Sequence, residues 1–87
     1  MSGSLPDKPI IHYPCEWEYR IIGSDPDRMR SAVDGILGEE EFMLEEANWS
    51  RQGRWLSMSL RLVVINEAHR YELHRVLREH PDIRMVL

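Results

Sequence analysis

The sequence has 87 residues, enough for one small domain that buries roughly 60–65% of its unfolded surface. Its composition is 43% hydrophobic and 30% charged with a net charge of −4, which argues against nonspecific binding to nucleic acid or to anionic membranes. The single cysteine, Cys15, excludes an internal disulfide and fits a reducing cytosol. Since no apolar run approaches the ~18 residues of a membrane span and the N-terminus lacks the apolar core of a signal peptide, we expect a cytoplasmic soluble protein.

The chain begins with a polar segment and continues into a strand. Residues 1–12 contain serine, glycine and proline before any periodicity appears, so we expect a disordered or loosely attached arm ahead of a domain at 13–87. After Tyr13-Pro14, the segment from Cys15 to Gly23 alternates apolar and charged residues, which is typical of a strand. Its apolar residues include Trp17, Tyr19 and Ile21.

A helix is predicted directly after this strand. Ser24 or Asp25 supplies the N-cap, Pro26 occupies the first helical position, and Gly38 is a suitable C-cap. The apolar residues recur at helical spacing and form one stripe. They are Met29, Val33, Ile36 and Leu37.

The longest strand in the sequence lies after a glycine-containing turn. Apolar residues at every second position predict one buried face and one face toward water. They are Leu56, Met58, Leu60, Leu62 and Val64. Before them, Gln52-Gly53 suggests a two-residue hairpin turn, with a partner strand at roughly residues 42–51.

This turn predicts the register of the hairpin. Trp49 pairs with Leu56 and Ala47 with Met58, which places Met43, Ala47 and Trp49 on the buried side. Glu45 then falls on the same side, and a carboxylate there is tolerable only near a sheet edge. We therefore expect the 42–51 segment to be an edge strand.

A second helix and a short strand complete the chain. Asn66 is the predicted N-cap of a helix over about 67–80, which Pro81 ends. Its inward stripe is predicted from Leu73, Val76, Leu77, His69 and His80. Residues 83–87 are predicted as a strand with Ile83, Met85 and Leu87 on one face, which puts Arg84 and Val86 on the other.

The element order is therefore β-α-β-β-α-β. Two helices on one face of a four-stranded antiparallel sheet is the ferredoxin-like, split βαβ sandwich of the α+β class. Right-handed crossovers favour the strand order 4-1-3-2, with the first and third strands at the centre.

Four local patterns resemble the YbeD-like family of small bacterial proteins of unknown function. The W-x-Y-R-I-I-G run of residues 17–23 is similar to that family's F-x-Y-K-V-M-G, and S-x-x-G-x-W-x-S at 50–57 is similar to its S-x-x-G-x-Y-x-S hairpin. The M-S-L-R-L strand at 58–62 and the final I-R-M-V-L at 83–87 resemble its V-S-I-T-I and V-R-M-V-L. The resemblance spans about 13–87. It implies a ferredoxin-like fold similar to ACT-type regulatory domains and brings no catalytic residues.

The sequence lacks the residues that ferredoxin-like folds commonly use to bind metal ions or phosphate. Cys15 stands alone, so a copper site of the Cys-x-x-Cys type is excluded. The loop after the first strand carries Asp25 and Asp27, which repel phosphate. His69, His74 and His80 are five and six apart, which does not match the i, i+4 spacing of a helical metal site. We therefore expect no catalytic residue, no metal and no cofactor.

The open sheet face remains as the candidate binding surface. Its candidate partner-binding residues are Trp55, Ser57, Ser59, Arg61 and Arg84. An exposed tryptophan ringed by polar groups is a common interaction hot spot. Alternatively, Glu18 pairs with Arg61 or Arg84 and the face is merely solvated.

Three functions follow in order of preference. The first is a non-enzymatic regulatory or interaction module that docks to another protein or to its own copy through the open face or a strand edge. The second is a small-ligand sensor, similar to ACT domains, that binds a metabolite at a dimer interface. RNA binding is third, because Glu16 and Glu18 flank Trp55 on the open face and no second stacking aromatic accompanies it.

Overall fold

The computed structural model describes residues 10–87, which form four strands and two helices. The elements in chain order are β1 (Cys15–Gly23), α1 (Pro26–Leu37), β2 (Met43–Trp49), β3 (Leu56–Val64), α2 (Glu67–Glu79) and β4 (Met85–Val86). The predicted disordered arm falls mainly on residues 1–9, outside the described residues, and residues 10–12 carry no helix or strand. Neither described helix has the length and apolar character needed to cross a membrane.

The strands form one antiparallel sheet in the order β2-β3-β1-β4, which is the predicted 4-1-3-2 order read from the other edge. β1 and β3 pair without interruption from Cys15–Val64 to Gly23–Leu56. Both helices bury their apolar stripes against the same face of these central strands, since their buried residues form one cluster with those of the sheet. The ferredoxin-like α+β prediction is confirmed.

The helix ends follow local chemistry. The Asp25 carboxylate accepts a hydrogen bond from the Arg28 N–H at 3.1 Å, and the Asn66 side chain accepts one from the His69 N–H at 2.8 Å. Each satisfies a backbone donor that the first helical turn leaves free. Gly38 ends α1 with a φ of 62°, as its predicted C-cap role requires.

The core lies between the helices and one face of the central strands. It contains the predicted alternating residues of β3, the predicted stripe of α1 with Ile36 partly buried, and Tyr19 and Ile21 of β1 with Ile83 near the C-terminus. Of the stripe predicted for α2, His69 and His80 are only half-buried and do not belong to the core. In α2 the fully inward positions are Leu73 and Leu77, and Val76 is half-buried.

The predicted register of β2 is wrong beyond its last two residues. Trp49 does pair with Leu56, but a β-bulge between Glu46 and Asn48 makes Glu46, rather than Ala47, the partner of Met58. The extra residue moves every preceding side chain to the opposite face. Leu44, opposite Leu60, is therefore the residue that packs against the core.

The residues predicted on the buried side of β2 are exposed: Met43 because the bulge moves it to the other face, and Trp49, which keeps its predicted partner Leu56, at the end of the edge strand. Met43 is 55% exposed and Trp49 is 48% exposed, while Glu45 lies on the open face. The carboxylate on the helix side is Glu46, which forms an ion pair with Arg30 of α1 at 2.7 Å. β2 is an edge strand, as predicted, and this edge position allows Glu46 to keep half its side chain in solvent.

The hairpin loop is longer than the predicted two-residue turn. The Ser50 N–H donates to the Trp55 carbonyl at 2.6 Å and closes a loop of residues 51–54. Within it the Gly53 N–H donates to the Ser50 carbonyl at 2.8 Å, and Gly53 has a positive φ of 71°, which glycine adopts without strain. The Ser50 hydroxyl accepts from the N–H groups of Arg54 and Trp55, which explains why serine begins this loop.

The facing of the C-terminal strand is also corrected. A turn in which the Ile83 N–H donates to the His80 carbonyl at 3.1 Å buries Ile83, but this residue precedes the ladder. Within the short β4, Val86 lies opposite Ile21 and packs on the core, whereas Met85 lies opposite Ile22 and is 49% exposed. Met85 and Leu87 therefore do not share the buried side with Ile83.

Candidate functional site

The sequence-predicted open face exists on β3. Ser57, Ser59 and Arg61 are partly exposed and alternate with buried leucine and methionine residues. Trp55, immediately before the strand, is 36% exposed. The Arg84 guanidinium carbon lies 5.8 Å from the centre of the Trp55 ring, so these two candidate residues meet, while the other three follow along the strand.

The middle of this face is occupied by paired charges. We call it the charged middle: Glu18, Arg20, Glu45 and Arg61. Arg61 pairs with Glu45 at 2.8 Å and Glu18 with Arg20 at 3.5 Å, so the expected pairing of Glu18 with Arg61 or Arg84 is replaced by nearer partners. All four side chains are well exposed, so each pair contributes about 0–1 kcal/mol to stability. Their charges neutralise each other and leave this region well solvated.

The hairpin end of the sheet is apolar instead. We call it the tryptophan end: Ile22, Trp49, Trp55 and Met85. Trp49 and Trp55 border the same shallow hollow of about 190 Å³, which Ile22 and Ser57 also line. Met85 lies beside Ile22 on the neighbouring strand.

Trp49 and Met85 were not predicted to belong to this group. Both were predicted on the buried side, Trp49 from the hairpin register and Met85 from alternation with Ile83. The sequence signal for a surface role is that two of the three tryptophans, Trp49 and Trp55, flank the hairpin loop. In the structure Trp49 is 48% exposed, which is unusual for such a large side chain.

A second hollow, of about 400 Å³, lies beside Trp55 at the loop between β1 and α1. We call it the loop hollow; it carries Asp25, Arg28, Asp82 and Arg84. Arg28 lies 3.9 Å from both Asp25 and Asp82. The nearby Gly23 allows this approach, because a Cβ there would lie 2.7 Å from the Met29 sulfur and 2.9 Å from the Asp82 carbonyl oxygen.

A third feature lies on the helix side of β1. We call it the arginine pocket: Trp17, Tyr19, Arg70, Tyr71 and His74, around about 310 Å³. The Arg70 guanidinium carbon lies 4.3 Å from the centre of the Trp17 ring and 4.6 Å from that of Tyr71, within cation–π range of both.

Tyr19 anchors this pocket to the core. Its hydroxyl donates to the Arg70 carbonyl at 2.6 Å. Burial raises the pKa of the Tyr19 phenol to about 12, since the phenolate loses solvation there. The neighbouring Arg70 charge offsets part of that effect.

The histidines are used for local structure. His69 Nδ1 accepts from the Ile65 N–H at 3.0 Å, and His80 Nδ1 accepts from the Asp82 N–H at 3.1 Å. Within residues 10–87, no three histidine, cysteine or carboxylate side chains lie close enough together to hold a metal ion. Cys15 is a half-buried free thiol at the start of β1.

Comparison with known proteins places this arrangement in a family. The family model "Protein of unknown function (DUF493)" matches residues 8–87. An uncharacterized protein of Helicobacter pylori strain J99 is 33% identical over 75 residues, which are 84% of this chain and 85% of the relative. A UPF0250 protein of Hahella chejuensis is 28% identical over 91 residues and covers 100% of both chains.

The fold has a solved relative. The solution structure of protein HP0495 from H. pylori superposes with a TM-score of 0.79 at 27% identity, over 99% of this chain and 98% of that one. Together with the UPF0250 relatives, this confirms the YbeD-like resemblance seen in the strand and hairpin patterns. The chain therefore belongs to the DUF493 family of proteins of unknown function.

Proposed function

We propose that the protein is a non-enzymatic interaction module that docks an acidic surface of another protein through its tryptophan end. The observation that carries the proposal is the pair Trp49 and Trp55, 48% and 36% exposed around one hollow. Tryptophan is enriched among residues that dominate binding energy, because its large ring releases much water when covered. A monomer gains nothing from leaving two such rings in solvent.

The charge around the tryptophan end supports an acidic partner. Arg51 and Arg54 are exposed in the hairpin loop, and Arg84 lies over Trp55. Within residues 10–87, none of the three forms an ion pair with a carboxylate. A second copy docked face to face would bring these arginines together, and like charges across an interface are unfavourable. An acidic partner instead neutralises them.

The test begins with the paired variant Trp49→Ala/Trp55→Ala. Val63→Ala is the matched control, since Val63 is 57% exposed at the opposite end of the same face. Partners retained by the wild-type protein are identified and purified, and their affinities are measured by calorimetry. The tryptophan variant should stay folded and lose about tenfold or more in affinity, while the control binds as wild type.

Charge reversal gives a second measure on the same partner. Arg51→Glu with Arg54→Glu should slow association and remove most of its dependence on salt. Unchanged affinity in the tryptophan variant, at equal folding, would show that the binding surface lies elsewhere.

A second candidate is a small-ligand sensor that uses the loop hollow. The supporting observation is that about 400 Å³ of space is lined by two carboxylates, Asp25 and Asp82, and two guanidiniums, Arg28 and Arg84. Negatively and positively charged side chains in one hollow can bind the ammonium and the carboxylate of a zwitterion such as an amino acid. In this proposal a second copy closes the hollow over the ligand.

Thermal shift and sedimentation with a panel of amino acids test this candidate. A true ligand should raise Tm and shift the protein toward a dimer, and Arg28→Ala should abolish both effects. A Tm that no amino acid changes would exclude it.

A further inference from the structure

Within residues 10–87, only half of the outer edge of β1 is covered. β4 covers the end of β1 that includes Arg20 and Ile22: Arg20 exchanges hydrogen bonds of 3.2 and 2.8 Å with Leu87, and the Ile22 carbonyl accepts from the Arg84 N–H at 2.7 Å. In a strand the main-chain groups of alternate residues point to the same side. Those of Glu16 and Glu18 therefore point toward the same edge as Arg20, and no residue of 10–87 pairs with them there.

The arginine pocket adjoins this half-covered edge on the helix side. Trp17, between the two glutamates, forms one wall of it, and Arg70 is held between the Trp17 and Tyr71 rings. The Arg70 Nε is buried and has no hydrogen-bond partner within the described residues. The Arg70 guanidinium also forms no ion pair with a carboxylate of residues 10–87, so a carboxylate supplied by a binding partner is favourable here.

The opposite side of the same edge is acidic. The Glu16 and Glu18 side chains lie on the open face, opposite Val63 and Arg61 of β3. A strand added beside β1 would alternate its side chains between these carboxylates and Arg70. Glu16 forms no ion pair within residues 10–87, and Glu18 forms only the 3.5 Å pair with Arg20. The edge thus presents a net negative charge to one set of side chains and the positive charge of Arg70 to the other.

This pattern distinguishes between possible occupants. A second copy paired antiparallel about Trp17 would place Glu16 opposite Glu18 of the other copy, so that four carboxylates cluster on one side. Like charges directly opposite in a sheet are destabilising. A strand with basic residues toward the glutamates and an acidic residue toward Arg70 avoids this repulsion and places opposite charges together on both sides.

We propose that residues 15–19 of β1 accept an extended segment of another protein as an added strand, with basic side chains toward Glu16 and Glu18 and an acidic or apolar side chain toward Arg70. Main-chain hydrogen bonds to the edge supply affinity, and the two charged sides supply register and direction. The site uses neither Trp49 nor Trp55, so it stands independently of the function proposed above.

The experiment uses the full chain, labelled with ¹⁵N, and a blocked seven-residue probe peptide. Lysine occupies its second, fourth and sixth positions, and valine and aspartate occupy the third and fifth. Binding should slow hydrogen exchange at the Glu16 and Glu18 amides and shift the Arg70 Nε resonance. Glu16→Lys with Glu18→Lys should weaken binding at least about tenfold, since lysines would then face lysines across the interface.

A charge-swapped peptide, with glutamate in place of lysine, should regain binding to the reversed variant. Asp27→Lys with Asp34→Lys is the matched control, because both are exposed carboxylates on α1, whereas the edge and its arginine pocket are formed by β1 and α2. The proposal is overturned if the reversed variant binds the lysine peptide as wild type does, or if the peptide shifts other residues only. It is equally overturned if the Glu16 and Glu18 amides already exchange slowly in the free chain, because the chain then covers its own edge.

Discussion

β3 and β2 lie side by side in one sheet, yet every second side chain of β3 is buried, while Leu44 is the one residue of β2 that is even half-buried. The ladder between β1 and β3 runs over nine positions without irregularity, whereas the ladder between β2 and β3 contains a bulge. A one-residue slip in β3 would move five core side chains into solvent. The same slip in β2 moves only Leu44, so the edge strand tolerates it.

The bulge also changes what β2 contributes to the surface. It turns Glu45 toward Arg61 on the open face and Glu46 toward Arg30 on the helix side. Burial therefore constrains the central strands, and the edge strands are free to adjust surface chemistry. Each prediction below tests this difference, from the largest expected effect to the smallest.

The largest effect should come from Leu60→Ala in the central strand. Leu60 is fully buried, so truncation should lower the free energy of unfolding by about 2–5 kcal/mol. Leu44→Ala, directly opposite on β2, is the matched control and should cost less than half as much. Urea denaturation of both variants measures the difference, and equal losses would remove the distinction between the two strands.

Gly23→Ala should be the next most destabilising change. The added Cβ would lie 2.7 Å from the Met29 sulfur and 2.9 Å from the Asp82 carbonyl oxygen, so the end of β1 must shift. We expect a loss of about 1–3 kcal/mol by urea denaturation. Gly35→Ala is the control: its Cβ would meet nothing within 4 Å, and alanine favours the helix, so stability should rise. A Gly23 variant as stable as wild type would show that the loop hollow adapts freely.

Tyr19 should make stability depend on alkaline pH. Its pKa is raised from 10.0 to about 12 by burial, so the unfolded chain loses the phenolic proton at lower pH than the folded chain. The contribution is fully present below about pH 10 and is lost as pH rises toward 12. In Tyr19→Phe this part of the pH profile of unfolding should flatten, and a profile as steep as that of the wild type would show that Tyr19 does not cause it.

Trp55→Ala should cost much less stability than Leu60→Ala, although it removes the larger side chain. Trp55 is 36% exposed at the sheet end, whereas Leu60 is 0% exposed. Thermal unfolding compares the two variants directly. A Trp55 variant that fails to fold would mean that the tryptophan end is part of the core.

The smallest effect should follow deletion of Ala47, the extra residue of the bulge. Asn48–Ser57 and Glu46–Met58 would then become consecutive pairs, and all side chains keep their faces. We expect a change within about 1 kcal/mol. Deletion of Ser59 from β3 is the contrasting variant, because it reverses the facing of half the central strand and should prevent folding.

Much of the fold was predictable from local patterns. β1 and β3 follow from strict alternation, and Asp25 and Asn66 begin their helices because their side chains satisfy free backbone N–H groups nearby. The facing of Ser57, Ser59 and Arg61 follows from the same alternation, so part of the candidate site was predictable too. The order β-α-β-β-α-β then left few possible topologies.

The composition of the tryptophan end and of the arginine pocket was decided only by tertiary structure. Trp49 keeps its predicted pairing with Leu56 but is 48% exposed at the end of the edge strand, and Met85 faces outward because β4 aligns with Ile21 and Ile22 rather than continuing from Ile83. Arg70 meets Trp17 only once α2 packs on β1. The sequence by itself determined the features that burial and local hydrogen bonds constrain, namely the central strands and the helix ends. The side to which an edge residue faces was decided only by neighbours distant in the chain, because edge residues bury too little surface to restrict their orientation.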